Sequence, residues 1–202
     1  MNFFNIDGPF QRIGSFVFDI IVLGLIFSLI SIPLITIGAA LTALYAACYI
    51  ALVKEEGYVF NTFFRTLKDK FIKSTLVWII LIIFYALMYF NITSITKGVI
   101  GIPWLLPLYY SITIEILITS LYIFPLLSIS NLGIKKIFKY SFILANKHLP
   151  TSILCGAIMA LYIVAFVSIN PIIVIILTSV ICYIFSQLII KRILTKYDIS
   201  MW

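Results

Sequence analysis

Two acidic residues occupy positions where acids are rare. Glu115 lies about half-way along an apolar stretch running from Trp104 to Ile129, and Asp19 lies about two turns into another that follows Arg12. Ionisable side chains inside membrane-crossing helices are costly, and they usually face a cavity, a partner or a transport route. Glu115 has two readings: it lines a polar cavity and handles protons or a solute, or it ties helices together by hydrogen bonding. Thr36, Thr42, Tyr45, Thr113 and Thr119 are its candidate neighbours. Asp19 has a simpler account, a snorkelled pair with Arg12 seven residues earlier on the same helix face. The candidate intramembrane polar site is therefore Glu115, Asp19, Thr42 and Tyr45.

Other chemistry lacks its parts. The chain has no GxxxxGK[ST] or GxGxxG phosphate loop, and its single histidine, His148, sits in a connection beside Lys147 and Pro150. A His-rich metal site and a Ser-His-Asp triad have no frame here. Cys48, Cys155 and Cys182 fall in apolar runs without the spacing of a disulfide framework or zinc site, and read as small buried thiols. The expectation is a non-enzyme with no catalytic residues, no metal and no cofactor.

The elements that hold these residues follow from composition. Of 202 residues, 63% are hydrophobic and 10% charged, against about a quarter charged in soluble domains. That excludes a water-soluble fold, and it turns the net charge of +7 into a statement about membrane orientation instead of nucleic-acid binding. The run from Ile13 to Val53 carries no Lys or Arg; as one helix it would be about 60 Å long, roughly twice the hydrocarbon core. Proline at position 33, after Ser28 and Ser31, is where it must turn back. The first run is too long for a secretory signal and is directly followed by another apolar run, so it reads as an uncleaved anchor.

The expected fold is all-α: a polytopic transmembrane helical bundle of about six spans with two cytoplasmic amphipathic helices. A single integral membrane domain covers 1–202, with spans near 13–32, 34–53, 74–91, 104–129, 151–168 and 171–190. Gly98, Gly101 and Pro103 punctuate the chain before the fourth span, whose excess length suggests tilt or a kink. Asn170 and Pro171 make a tight turn into the sixth. In this arrangement every Lys and Arg except Lys97 falls on one side of the membrane, which the positive-inside rule makes cytoplasmic. Both termini are then cytoplasmic, in a cell membrane. Asp7-Gly8-Pro9 reads as a turn and helix start.

Two cytoplasmic connections have helical periodicity. Phe60, Phe64, Leu67 and Phe71 recur on one face while Arg65, Lys68, Asp69 and Lys70 fall largely elsewhere. From Ile134 to Asn146, Ile137, Phe138, Phe142 and Ala145 recur against Lys135, Lys136 and Lys139. Both read as surface helices that anchor to lipid or dock a cytoplasmic partner, with Phe60, Phe64, Arg65, Phe138 and Lys139 as docking candidates. In the second span Gly38, Ala39, Ala43, Ala47 and Ala51 form a small-residue face suited to close helix packing. Thr42-Ala-Leu-Tyr45 is echoed by Thr119-Ser-Leu-Tyr122, and Phe63-Phe-Arg65 by Ile137-Phe-Lys139, an arrangement open to reading as a parallel repeat.

Four segments together carry a family resemblance: Phe4-Asn-Ile-Asp-Gly-Pro-Phe-Gln-Arg12, Pro33-Leu-Ile-Thr-Ile-Gly-Ala-Ala-Leu-Thr-Ala-Leu-Tyr45, Glu55-Glu-Gly-Tyr-Val-Phe60 and Phe63-Phe-Arg65. In order and spacing they resemble the YesL family of bacterial membrane proteins. The resemblance implies a small polytopic protein, typical of Gram-positive bacteria and often encoded beside sugar-uptake ABC transporters; it supplies no catalytic or ligand residues. The expected function is an accessory, non-enzymatic component of carbohydrate uptake by an ABC-type importer, with the lipid bilayer, the importer's permease subunits or a second copy as partners, and no nucleic acid. The alternative is a small-solute transporter in its own right, with Glu115 lining the path. Envelope protection, a third reading, rests on size and topology alone.

Overall fold

A computed structural model describes residues 9–49, 58–98, 103–168 and 171–194. Every regular element among them is helical: α1 (Pro9–Ile30), α2 (Ile37–Ala46, entered through a 3-10 turn at Leu34–Thr36), α3 (Val59–Thr96), α4 (Leu106–Ile129), α5 (Ile134–Lys147), α6 (Leu149–Ser168) and α7 (Pro171–Phe185, widening to a π-turn over Ser186–Lys191). Two helical stretches, Val59–Thr96 and Pro103–Ile129, are long and apolar enough to cross a membrane, and a third crossing is available if α5 and α6 count as one bent span. The apolar helices Gly14–Ile30, Leu34–Tyr49 and Leu177–Lys191 are shorter than that within the described residues. Apolar side chains such as Leu29, Ile72, Trp104 and Leu161 point outward, a surface that suits hydrocarbon and not water. These apolar helices fit insertion into a membrane.

The first helix ends at Ile30, three residues before Pro33, as proline chemistry requires. The expected surface helix at 60–71 is a different matter. It is continuous with the following span, in one helix of 38 residues that is about 57 Å long. No proline or glycine interrupts Val59–Thr96, so nothing breaks the hydrogen-bond ladder where the composition changes from amphipathic to apolar. Its inward stripe also differs from the expected one. Val59, Phe63, Ser74, Val77 and Leu81 are buried, whereas Phe64 and Phe71 are exposed.

At the centre lies α2. Gly38, Ala39, Ala40, Thr42, Ala43, Leu44, Tyr45 and Ala46 are all buried, as is Ala47 just beyond the helix; Ala51 lies outside the described residues. The closest approach is at Gly38, where an added Cβ would stand 2.4 Å from Trp78 Cβ and 2.8 Å from the Ser74 carbonyl oxygen. Trp78 then donates its indole N–H to the Leu34 carbonyl at 2.8 Å, fastening the start of the second apolar segment to α3. On the far side, Ser179 of α7 donates to the Ile20 carbonyl of α1 at 2.7 Å. Such hydroxyl ties are how helices hold each other where lipid removes the hydrophobic drive to associate.

Overpacking a tight contact costs about 1–3 kcal/mol. Gly38→Ala should therefore lower stability to denaturation in detergent micelles by that amount. Gly156→Ala in α6, where nothing lies within 4 Å of the new Cβ, should leave it within about 0.5 kcal/mol. Equal responses at the two glycines would show that the α2–α3 seam is not tight.

Candidate functional site

Three places bring polar chemistry together. The first is the join between α3 and the end of α4. The last carbonyls of any helix lack intrahelical donors. Here Lys70 Nζ donates to the carbonyl oxygens of Leu127 at 2.7 Å, Ser128 at 2.9 Å and Ser130 at 3.0 Å, so all three ammonium hydrogens have acceptors. A cation at a helix C-terminus also meets the favourable end of the helix dipole. Lys73, one turn on, donates to the Asn131 carbonyl at 3.0 Å. Lys70 departs from the other charges of its segment: seven residues from Phe63 and four from Ser74, it lies on the inward stripe, while its acceptors are nearly sixty residues away and leave no local trace.

The second place holds Glu115. It does not meet Thr42 or Tyr45. Its carboxylate Oε1 accepts from the side-chain amide of Asn146, near the end of α5, at 2.6 Å. Ile129 ends α4 about 21 Å of helix rise from Glu115, so α5 folds back along α4 and is not a helix lying across its end. The short connection at 130–133 is the reason: it leaves the two helices as antiparallel neighbours. Phe138 and Phe142 of α5, with Ile112, Ile116 and Ile123 of α4 and Leu81 and Phe84 of α3, wall a groove of about 300 Å3 beside Glu115. Thr119, one turn from Glu115, lines the same groove, and its buried hydroxyl has no hydrogen-bond partner. At His148 the chain turns by 99° into α6, whose Ser152 hydroxyl donates to the Ala145 carbonyl at 2.8 Å and lies 2.8 Å from the Tyr122 hydroxyl.

The third place is a cavity of about 340 Å3 among α1, α2, α3, α4, α6 and α7. Tyr45 lines it, with Trp78, Tyr85, Ser120, Tyr162 and Thr178. The cavity is partly open to its surroundings, so a small molecule can reach it from outside the helix bundle.

The remaining candidates lie apart. Thr42 turns its hydroxyl back to the Gly38 carbonyl at 2.9 Å, an internal helix bond. Asp19 is half-buried on α1 and lines neither cavity; its proposed pair with Arg12 involves a side chain outside the described set. Of the docking candidates, Phe64 and Arg65 face outward on α3, Phe60 is half-buried, and Arg65 makes a loose 3.8 Å pair with Asp69. Lys139 is exposed on α5 and Phe138 is half-buried. The three cysteines are buried and free, and no cluster of metal-ligating side chains occurs among the described residues.

A family model described as "Protein of unknown function, DUF624" matches residues 20–92. The likeness covers the second half of α1, all of α2 and α3 as far as Ile92, the segment that includes the Gly38–Trp78 seam and Lys70. Compared with curated proteins and with solved structures, the chain finds no match.

Hydrogen bonds from a charged donor contribute about 1.5–3 kcal/mol each. Removing the Lys70 ammonium leaves carbonyls that water can partly satisfy, so Lys70→Met should cost about 2–4 kcal/mol in chemical denaturation. Lys73→Met, at a more exposed site, should cost under about 1 kcal/mol. Indistinguishable losses would mean that the ammonium does not cap α4.

Proposed function

We propose that this chain is a non-enzymatic, multi-pass integral membrane protein with six spans and both termini in the cytoplasm, acting as an accessory component of carbohydrate uptake by an ABC-type importer. The importer and its sugar enter through the resemblance of the opening segments to the YesL family. The observation that carries the docking reading is the surface left over at the Lys-rich end. Ile137, Ser141, Leu144 and Ala145 of α5 are consumed in the core, while Lys135, Lys136, Lys139 and Phe142 on the same helix stay exposed, as do Phe64 and Arg65 on α3. Exposed aromatic side chains and arginine are enriched at protein contacts, and the lysines around them would steer an acidic partner surface. The small-residue face of α2 lends no support, because it is spent inside the chain. Permease subunits, or a second copy, would meet α5 and the adjoining end of α3.

Purification from native membranes in a gentle detergent should recover importer subunits. The double substitution Arg65→Glu and Lys139→Glu should cut that recovery about tenfold, the effect of roughly 1.4 kcal/mol. Retrieval of no transporter subunit by the unaltered protein would overturn the docking reading.

One observation favours the transporter reading: the Glu115–Asn146 hydrogen bond beside a groove in which Thr119 has no partner. If Glu115 lines a route, Glu115→Gln keeps the shape and removes the charge. Solute uptake into liposomes should then fall at least tenfold; unchanged uptake would remove Glu115 from any transport mechanism.

A further inference from the structure

We propose that the central cavity is a binding site for a neutral small molecule with an apolar body and one hydroxyl group. Among the described residues none that lines it is Asp, Glu, Lys, Arg or His, so a charged solute entering it would lose its hydration without a countercharge. Its volume falls within the range of small-molecule sites, which are mostly apolar with a few placed polar groups. The aromatic faces of Trp78, Tyr85, Tyr162, Phe124 and Phe185 supply the apolar walls.

The hydroxyl requirement follows from counting donors. Ser120 Oγ donates its hydrogen to the Leu117 carbonyl at 2.7 Å. Its oxygen is then the acceptor for Tyr85, whose phenol O–H points to it at 3.2 Å. With both hydrogens committed, the Tyr85 oxygen retains only acceptor capacity. A ligand that donates a hydrogen bond is matched to it; one that can only accept is not. Across the cavity the Tyr162 and Thr178 hydroxyls lie 2.7 Å apart; this wall too presents hydroxyl oxygens and no charge. Leu81 stands between this site and the Glu115 groove and lines both; Glu115 itself lines only the groove, and the proposal holds whether or not the bound molecule crosses the membrane.

The test uses full-length protein in lipid vesicles and a neutral aryl diazirine, 3-(trifluoromethyl)-3-phenyldiazirine, as photolabel, with modified residues mapped by mass spectrometry. Labelling at Met159 and Tyr162, which line the cavity, should fall at least fivefold with 1-naphthol as competitor. Labelling at Leu161 and Ile163, which face outward on the same helix, should not change. Naphthalene, of the same shape without the hydroxyl, should compete about tenfold more weakly, and anionic 1-naphthoate should not compete. Tyr85→Phe keeps the ring and should bring 1-naphthol down to the level of naphthalene; Met159→Trp should abolish the saturable labelling while leaving that of Leu161 and Ile163. Labelling of the cavity residues that no competitor displaces, or equal competition by naphthalene and 1-naphthol in the unaltered protein, would overturn the proposal. The second result would mark the cavity as a place for hydrocarbon chains alone.

Discussion

The ammonium of Lys70 is held by three carbonyl oxygens at the end of α4, and the basic end of the bundle is arranged around that contact. An unscreened helix end needs donors, and a lysine from a neighbouring helix supplies them only if that helix runs close alongside. The contact therefore fixes the depth of α3 against α4, places the connection at 130–133, and sets where α5 must start. Because α5 starts there with four residues of slack, it can only fold back beside α4, which carries Asn146 to Glu115. The Glu115 groove is in this sense a consequence of how α4 is capped.

A second constraint, the glycine contact between α2 and α3, acts further along the same inward stripe of α3, at Ser74 and Trp78. The Trp78 indole reaches the Leu34 carbonyl across the place where Gly38 admits the Trp78 side chain and the Ser74 carbonyl. Between the two, α3 is gripped along its inward stripe from Phe63 to Leu81. The pair of similar tetrads gives the comparison its meaning. Thr42 to Tyr45 and Thr119 to Tyr122 are largely buried on α2 and α4. The helix after the first runs unbroken for 38 residues, whereas the segment after the second bends by 99° at His148. Pro150 explains the contrast: in a continued helix it would leave the Asn146 carbonyl without a backbone donor and clash with it, whereas in the first turn of α6 it is tolerated, and α3 contains no such residue. One half of the chain thus provides a straight strut and the other a corner.

Much of this was legible from residue types. The helical class, the break before Pro33, helices near 104–129 and 151–168 and the tight packing of the Gly38 row follow from apolar run length, proline chemistry and small-residue spacing. What escaped the sequence depends on partners distant along the chain. The role of Lys70 could not be read from its own surroundings, because a lysine in an amphipathic segment ordinarily faces water and its acceptors lie nearly sixty residues away. Asn146 was placed on a surface helix because nothing local reports how far that helix leans into the bundle. The cavity is illegible for the same reason: its wall draws residues from six helices, and each looks like ordinary packing in its own stretch.

The central claim is that the amphipathic segment after Tyr58 stands upright as the lower part of α3, pinned by Lys70, and does not lie along the membrane surface. The most direct measurement is the distance between spin labels at Asn61 and Tyr89 in lipid nanodiscs, read by pulsed electron-electron resonance. A continuous helix separates these positions by about 42 Å of axial rise. A right-angle turn near Lys73 would bring them to about 30 Å. A narrow distribution at the longer distance is the predicted result, and a population centred at the shorter one would contradict the account.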